Sequence, residues 1–460
     1  MSLIADQFFH DSEIRQAEDH IIAALSRHQK NLEGVRPPDP HLTQSYEETL
    51  THFGELRGNG LWYPYLGSGI GNGALVELAD GSVKYDFIGG IGVHIFGHSH
   101  PEVMRSALRG AMQDTIMQGN LQQNADSAVL CERFLSLANA SGAKMAHCFL
   151  TSSGAMANEN ALKILFHRRP EANRLLAFKS CFMGRTLALA QITDKAKYRA
   201  GLPDTLRVDY IPFYGTNSSG STLQTLSALE QHLKRYPGKY AGMCMELVQG
   251  EGGYNLGNRE FFLEVIYLLR RHDLPLLIDE IQTFGRTSQP FAFQHFGLDE
   301  YADVVTVGKM SQVCATLFKT ELKPKPGLIS QTFTSSSVAI SVANYLLEQF
   351  ETSELFGEHG RNMQLHELMV QGFEQIQSRH PGWIKGPYGI GTMIAFTPFD
   401  GDFTRTQSLA KRLFKLGVIA FVAGSTVGRI RFLLPAMVVT EQDIQAVLRI
   451  LEQALEEEAS

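Results

Sequence analysis

Asp279 closes the apolar run Leu276-Leu277-Ile278, and Lys309 follows a second one, Val304-Val305-Thr306-Val307-Gly308. Ligands of open α/β sheets gather at the ends of buried strands, so an acid and an amine at two such ends can meet around one ligand. Taken singly, each reads as a solvated loop residue. A third feature is the stretch Thr151 to Lys163, which contains Ser153, Gly154 and Ala155, follows apolar Cys148-Phe149-Leu150 and opens a segment of good helix formers. Small residues at a helix start let backbone amides approach an anion at the positive end of the helix dipole. An ordinary N-cap accounts for the same residues.

Together the three features suit pyridoxal phosphate, whose phosphate, ring nitrogen and aldehyde each demand a different group. The helix start at Gly154-Ala155 would take the phosphate, Asp279 would keep the pyridine nitrogen protonated, and Lys309 would form a Schiff base. An amine is a nucleophile only when neutral, so the surroundings of Lys309 must lower its pKa. A ring held cationic by Asp279 accepts carbanion density in the transition state.

Other motifs carry less. Gly69-Ile70-Gly71-Asn72-Gly73-Ala74 imitates a dinucleotide fingerprint but leads into hairpin residues, not a helix. Gly308-Lys309 lacks the upstream glycine and following Ser/Thr of a phosphate-binding P-loop. His94, His98 and His100 have no cysteine or carboxylate spaced to complete a tetrahedral metal site, so no metal is expected.

Positioning such groups takes a large scaffold. The chain has 460 residues, 44% apolar and 19% charged, which predicts two or three units with substantial cores and excludes a disordered or coiled-coil chain. A net charge of −7 without a long basic run argues against nucleic acid. Five cysteines form no CxxC pair, the first twenty residues hold acids and no apolar signal core, and no apolar stretch of membrane-spanning length follows. A cytoplasmic chain, neither secreted nor membrane-spanning, is the expectation.

Residues 1–33 read as a polar helical lead-in, with Gly34-Val35-Arg36-Pro37-Pro38-Asp39-Pro40 as a linker or arm. Ala79-Asp80-Gly81-Ser82 reads as a hairpin turn between Leu75–Leu78 and Val83–Tyr85. From about 100 to 345, helical segments alternate with short apolar runs, the pattern of an α/β unit with a mainly parallel sheet. After residue 355 the alternation suggests a smaller α+β unit.

With these residues in view, the chain from about 60 to 455 resembles class III aminotransferases of fold type I, the group of ornithine, acetylornithine, 4-aminobutyrate and lysine 6-aminotransferases. The resemblance rests on Asp80-Gly81 with Tyr85-Asp86-Phe87, Gly97-His98-Ser99-His100-Pro101, Ser153 to Lys163, Phe182-Met183-Gly184-Arg185-Thr186, Glu246 to Gly253, Asp279-Glu280-Ile281-Gln282-Thr283, Gly308-Lys309 and Ile430-Arg431-Phe432. The wording around Ala155 to Lys163 and Gly308 to Cys314 is most similar to the lysine 6-aminotransferase branch.

The resemblance implies a PLP-binding large domain at 86–345, a C-terminal small domain at 346–460, and an N-terminal arm and hairpin at 1–85 that joins the small domain. It implies that Lys309 carries the cofactor and then moves the proton between substrate Cα and cofactor C4′. Phe182 would stack on the ring, Gln282 would stand beside the phenolic oxygen, and Thr332 would reach the phosphate of the neighbouring subunit of a homodimer. Arg431 would bind a substrate α-carboxylate, and Glu251 would pair with it when an ω-amino donor enters. The implied activity is ping-pong transfer of an amino group from an amine or ω-amino acid to a 2-oxo acid, with 2-oxoglutarate as acceptor. A mutase, racemase or decarboxylase on the same fold is the alternative, and a binding protein without catalysis is a more remote one. Met156, Met183, Leu247 and Thr334-Ser335-Ser336 depart from the usual family wording, as does the absence of a glycine before Phe284. These departures touch the phosphate surroundings and the pocket wall, which points to an unusual substrate.

Overall fold

In a computed structural model describing residues 3–215, 221–424 and 426–459, the predicted alternation becomes three main sheets. The first is built from β1 (Gly67–Asn72), β2 (Leu75–Leu78) and β3 (Val83–Asp86). β2 and β3 pair antiparallel around the expected turn. The imitation fingerprint lies within β1 and its turn into β2, where no helix begins.

The second sheet holds seven strands: β4 (Met145–Thr151), β5 (Arg174–Phe178), β6 (Arg207–Ile211), β7 (Tyr240–Met245), β8 (Leu276–Asp279), β9 (Val304–Val307) and β10 (Cys314–Lys319). Their order is β4-β10-β9-β8-β7-β5-β6. All neighbouring pairs are parallel except those of β10, which runs antiparallel to both β9 and β4. β7, β8 and β9 are buried along their whole lengths, as uninterrupted apolar runs require in a covered parallel sheet.

The third sheet comprises β11 (Ile384–Ile390), β12 (Met393–Pro398), β14 (Phe421–Ala423) and β15 (Arg429–Leu433), all paired antiparallel. Between them in the chain, β13 (Val418–Ile419) instead pairs parallel with β3. Helices Arg361–Arg379, Phe403–Leu416 and Glu441–Ala459 accompany this part of the chain. Each buries one stripe of apolar residues, for example Ile444, Val447, Leu451 and Leu455.

The lead-in forms two helices, Ile4–Phe9 and Ser12–Gln29. Residues 34–40 are less free than a linker. The Arg36 N–H donates to the Val83 carbonyl, the Asp39 N–H donates to Asp80, and the Asp39 side chain caps the next helix, Pro40–Arg57. Proline at the first helical position loses nothing, because that amide has no partner within a helix.

Candidate active site

Because β10 is antiparallel to both β4 and β9, the C-terminal ends of β4, β7, β8 and β9 meet along one edge of the sheet. Asp279 ends β8, Lys309 follows β9 after Gly308, and the helix Gly154–Arg168 begins just beyond β4. A cavity of about 310 Å³ at this edge is lined by Gly154, Ala155, Phe182, Asp279, Gln282 and Lys309, and also by Asn158, Glu246 and Ile281. The residues predicted from strand ends and helix start thus share one pocket.

Ser153 does not line the cavity; it prepares the helix start. Its Oγ accepts the Met156 N–H at 3.2 Å and its carbonyl accepts the Ala157 N–H at 3.0 Å. The Gly154 and Ala155 amides are left as the helix donors without an intrahelical partner. A Cβ on Gly154 would stand 3.0 Å from the Ile281 side chain, so the smallest residue keeps this corner open. At the other side of the pocket a Cβ on Gly308 would lie 2.6 Å from Cys314 Sγ, which explains glycine before Lys309. Lys309 itself has φ of 52°, left-handed backbone that costs a non-glycine residue roughly 1–2 kcal/mol.

Asp279 is held by two donors: the Ile281 N–H on Oδ1 at 2.8 Å and Asn158 Nδ2 on Oδ2 at 2.8 Å. Thr306, opposite Asp279 in the β8–β9 register, donates its hydroxyl to Asn158 Oδ1 at 2.8 Å and fixes the amide's orientation. Burial pushes the Asp279 carboxyl up to about 6 against these donors and Lys309. A cationic nitrogen placed against it would reverse that displacement, since an opposite charge favours the carboxylate. Two amides without an intrahelical partner, a buried acid and an amine, all lining one cavity, fit the phosphate, ring nitrogen and aldehyde of pyridoxal phosphate.

Burial first, and Arg431 second, bring the Lys309 amine down to about 8, against the opposing pull of Glu251, Asp279 and Glu246. Its neutral fraction is therefore small at pH 6 and dominant above pH 9. Cofactor capture by the cofactor-free protein should accelerate with pH to a midpoint near 8, followed by stopped-flow absorbance. A rate that is flat from pH 6 to 9, or still rising tenfold per unit at pH 10, contradicts this.

Two residues were missed by sequence reasoning. Asn158 lies one helical turn into Gly154–Arg168, where only its register toward the sheet discloses it. Glu246 follows β7 and accepts the Phe182 N–H at 2.8 Å and the Gly250 N–H at 3.0 Å. Burial and the neighbouring Asp279 push it up to about 8. It ties the Phe182 loop to the Gly250 turn.

A second chamber, of about 480 Å³, shares Phe182 and Arg185 with the first and is lined by Glu251. Arg431 on β15 is fully buried and donates to Glu251 Oε1 at 2.5 Å, to the Gly250 carbonyl at 3.2 Å and to Gln282 Oε1 at 3.4 Å. Burial raises the Glu251 carboxyl, but Arg431 and Lys195 outweigh it and hold the group below the usual carboxylate range. Thr332 is not brought to either space; it lines a separate surface cavity with Gly119, Asn120, Leu121 and Phe333. Among the described residues no group of three His, Cys, Asp or Glu side chains could hold a metal, and no helix is long and apolar enough to cross a membrane.

The comparisons with known proteins agree with this geometry. The family model for class-III aminotransferases matches residues 69–455. Acetylornithine aminotransferase of Bacillus subtilis is 30% identical over 392 residues, covering 83% of this chain and 93% of that protein. A 5-aminovalerate aminotransferase of Pseudomonas aeruginosa is 27% identical over 425 residues, covering 87% and 96%. The solved structure of lysine aminotransferase from M. tuberculosis superposes with a TM-score of 0.78 at 22% identity, over 89% of this chain and 99% of that one, and shares its fold. A match that runs through the hairpin, the cofactor-sized pocket and β15 leaves one assignment: the chain belongs to the class-III aminotransferases and is a pyridoxal-phosphate-dependent transaminase.

Proposed function

We propose that the chain moves an amino group from an amine or ω-amino acid to 2-oxoglutarate in a ping-pong cycle. The observation that carries this reading is the pair of buried Arg431 with Glu251. Arg431 has no exposure and lies directly behind Glu251, which lines the second chamber; once Glu251 moves aside, the guanidinium can take a substrate α-carboxylate through two parallel N–H bonds. Its Nε has no protein partner among the described residues. When the donor has no α-carboxylate, Glu251 neutralises the arginine, so one pocket serves substrates of two charges.

Pyridoxal phosphate, when bound, supplies an aldehyde for the amine and a ring that withdraws electrons from substrate Cα. The chain's own residues do the rest. Gly154 and Ala155 amides, preset by the Ser153 cap, would hold the phosphate, Phe182 would cover the ring, and Gln282 would face the phenolic oxygen. Asp279 holds a proton on the ring nitrogen, with Asn158 and the Ile281 N–H fixing both carboxylate oxygens. The Lys309 amine, which lines the same cavity, would be the base that carries the proton between substrate Cα and the cofactor.

Thr332 is assigned to the neighbouring subunit's phosphate in a homodimer. Exposed Ile116, Met117, Leu121 and Phe333 around it support a face covered by a second copy. The reading also divides the chain into an arm and hairpin at 1–85, a large domain at 86–345 and a small one at 346–460. A cytoplasmic setting accords with five unbonded cysteines.

The test is a donor panel of lysine, ornithine, acetylornithine, 4-aminobutyrate and simple diamines, each with 2-oxoglutarate, following the bound chromophore. At least one donor should convert the cofactor stoichiometrically to its amine form, and 2-oxoglutarate should restore it. Product formation without this exchange would favour a mutase, racemase or decarboxylase instead.

A further inference from the structure

Beside the cofactor cavity, the second chamber gathers three cations on one ring. Arg185, Lys195 and Lys197 stand 3.8, 5.7 and 5.5 Å from the ring centroid of Tyr198, and all four side chains line the chamber. Glu251 is the one carboxylate in that lining. Its oxygens are divided between two bases: Oε1 lies 2.5 Å from Arg431, and Oε2 lies 3.7 Å from Lys195 Nζ. The Glu251 and Lys195 side chains are only 16% and 17% exposed.

Lys195 is rooted firmly. Its N–H donates to the Thr193 carbonyl at 2.8 Å, and its own carbonyl accepts the Tyr198 N–H at 2.9 Å. Arg199 Nη1 closes the same turn on the Thr193 carbonyl at 2.9 Å. The ammonium is thus presented to Glu251 from a hydrogen-bonded turn.

A substrate α-carboxylate that pairs with Arg431 must displace Glu251. The displaced carboxylate stays largely screened from solvent, its side chain being only 16% exposed, and an unpaired charge there is expensive. Among the described residues Lys195 is the other ion-pair partner of Glu251. We propose that Lys195 is the second station of Glu251, receiving its carboxylate whenever an α-carboxylate occupies Arg431, and thereby sets how well the enzyme accepts α-carboxylate substrates relative to donors that lack one. The inference rests on the Arg431–Glu251 reading above and adds a partner to it. Lys195 acts through Glu251 and is a positioning residue.

Without Lys195, Glu251 keeps Arg431 as its one ion-pair partner among the described residues and competes harder for it. Lys195→Met should raise KM for 2-oxoglutarate about tenfold, with kcat within about threefold. KM for a diamine donor lacking an α-carboxylate should stay within about twofold, and Lys195→Arg should restore KM for 2-oxoglutarate. The dissociation constant of a non-reacting dicarboxylate, read from the bound chromophore without turnover, should rise by the same factor as KM. In the Glu251→Gln background the Lys195→Met effect should disappear, because no charge remains to be moved.

An effect that persists in the Glu251→Gln background would mean that Lys195 contacts substrate directly, and would overturn the proposal. Equal losses for both substrate classes, or no loss, would overturn it too. Glu251→Gln alone separates the two levels: an unchanged substrate preference in that variant defeats the Arg431–Glu251 reading itself. A changed preference with a silent Lys195→Met defeats only the Lys195 inference.

Discussion

Replacing Lys309 with alanine is expected to lower turnover by about 10⁴-fold or more while cofactor binding remains measurable. A positioned general base is worth roughly 10²–10⁴-fold, and the same amine also serves as the nucleophile, so its loss removes two functions at once. The pocket around it does not depend on the amine. The Gly154 and Ala155 amides are set by the Ser153 cap, and Asp279 is held by Ile281 and Asn158. Lys309 lines the 310 Å³ cavity, so truncation enlarges a space that small amines can enter. Added methylamine should therefore recover part of the activity, more at high pH where it is neutral. The checks are single-turnover absorbance of the bound chromophore and equilibrium dialysis of the cofactor. Turnover within tenfold of the parent would show that another group does the proton transfer.

The reason Lys309 and Asp279 were legible in the sequence is local. Both follow uninterrupted apolar runs, and a buried strand announces its own end. The Ser153–Ala155 helix start was legible for a similar reason, as a small-residue cap after another apolar run. Partners from other elements left no such mark. Asn158 is one polar residue among several in a helix, and only its register toward Asp279 and Thr306 distinguishes it. Arg431 and Glu251 were reached by resemblance alone, because their pairing depends on how the Gly250 turn meets β15. Lys195 had no signal: it sits in a short polar turn, and its meaning comes from Glu251.

The fold shows the same division. The β2–β3 hairpin follows from a turn sequence between apolar runs, and β8 and β9 from burial on both faces. The parallel pairing of β13 with β3 joins distant parts of the chain, and periodicity within either strand says nothing about it. For residues 34–40 proline disfavours regular structure, so the sequence leaves a linker and an arm equally open. The Arg36 and Asp39 amides bond the hairpin, and the Arg36 guanidinium adds bonds to the Gly81 carbonyl and to Glu77, long-range pairings that composition does not reveal.

Asp279→Asn should separate chemistry from folding. With the carboxyl raised from 3.8 to about 6 by burial, the charge opposes folding as pH rises through that window. The penalty is fully developed above pH 6 and amounts to about 3 kcal/mol. Asparagine removes this penalty but cannot accept both hydrogen bonds. Whichever way its amide turns, an N–H meets either the Ile281 N–H or Asn158 Nδ2, and one such lost bond costs roughly 1–3 kcal/mol. The two effects nearly offset, so the melting temperature of the cofactor-free variant should stay within a few degrees of the parent at pH 7. Turnover should not. A neutral amide cannot keep a proton on the ring nitrogen, and the loss of one preorganised charge at the reacting system is worth roughly 10²–10³-fold or more in kcat. Cofactor affinity should fall less, because the phosphate contacts and the Phe182 wall remain. Calorimetric melting of the cofactor-free protein, cofactor titration and kcat under saturating cofactor make the three measurements. If kcat at saturation falls less than tenfold while affinity collapses, Asp279 is an anchor for the cofactor and not the group that holds its ring cationic.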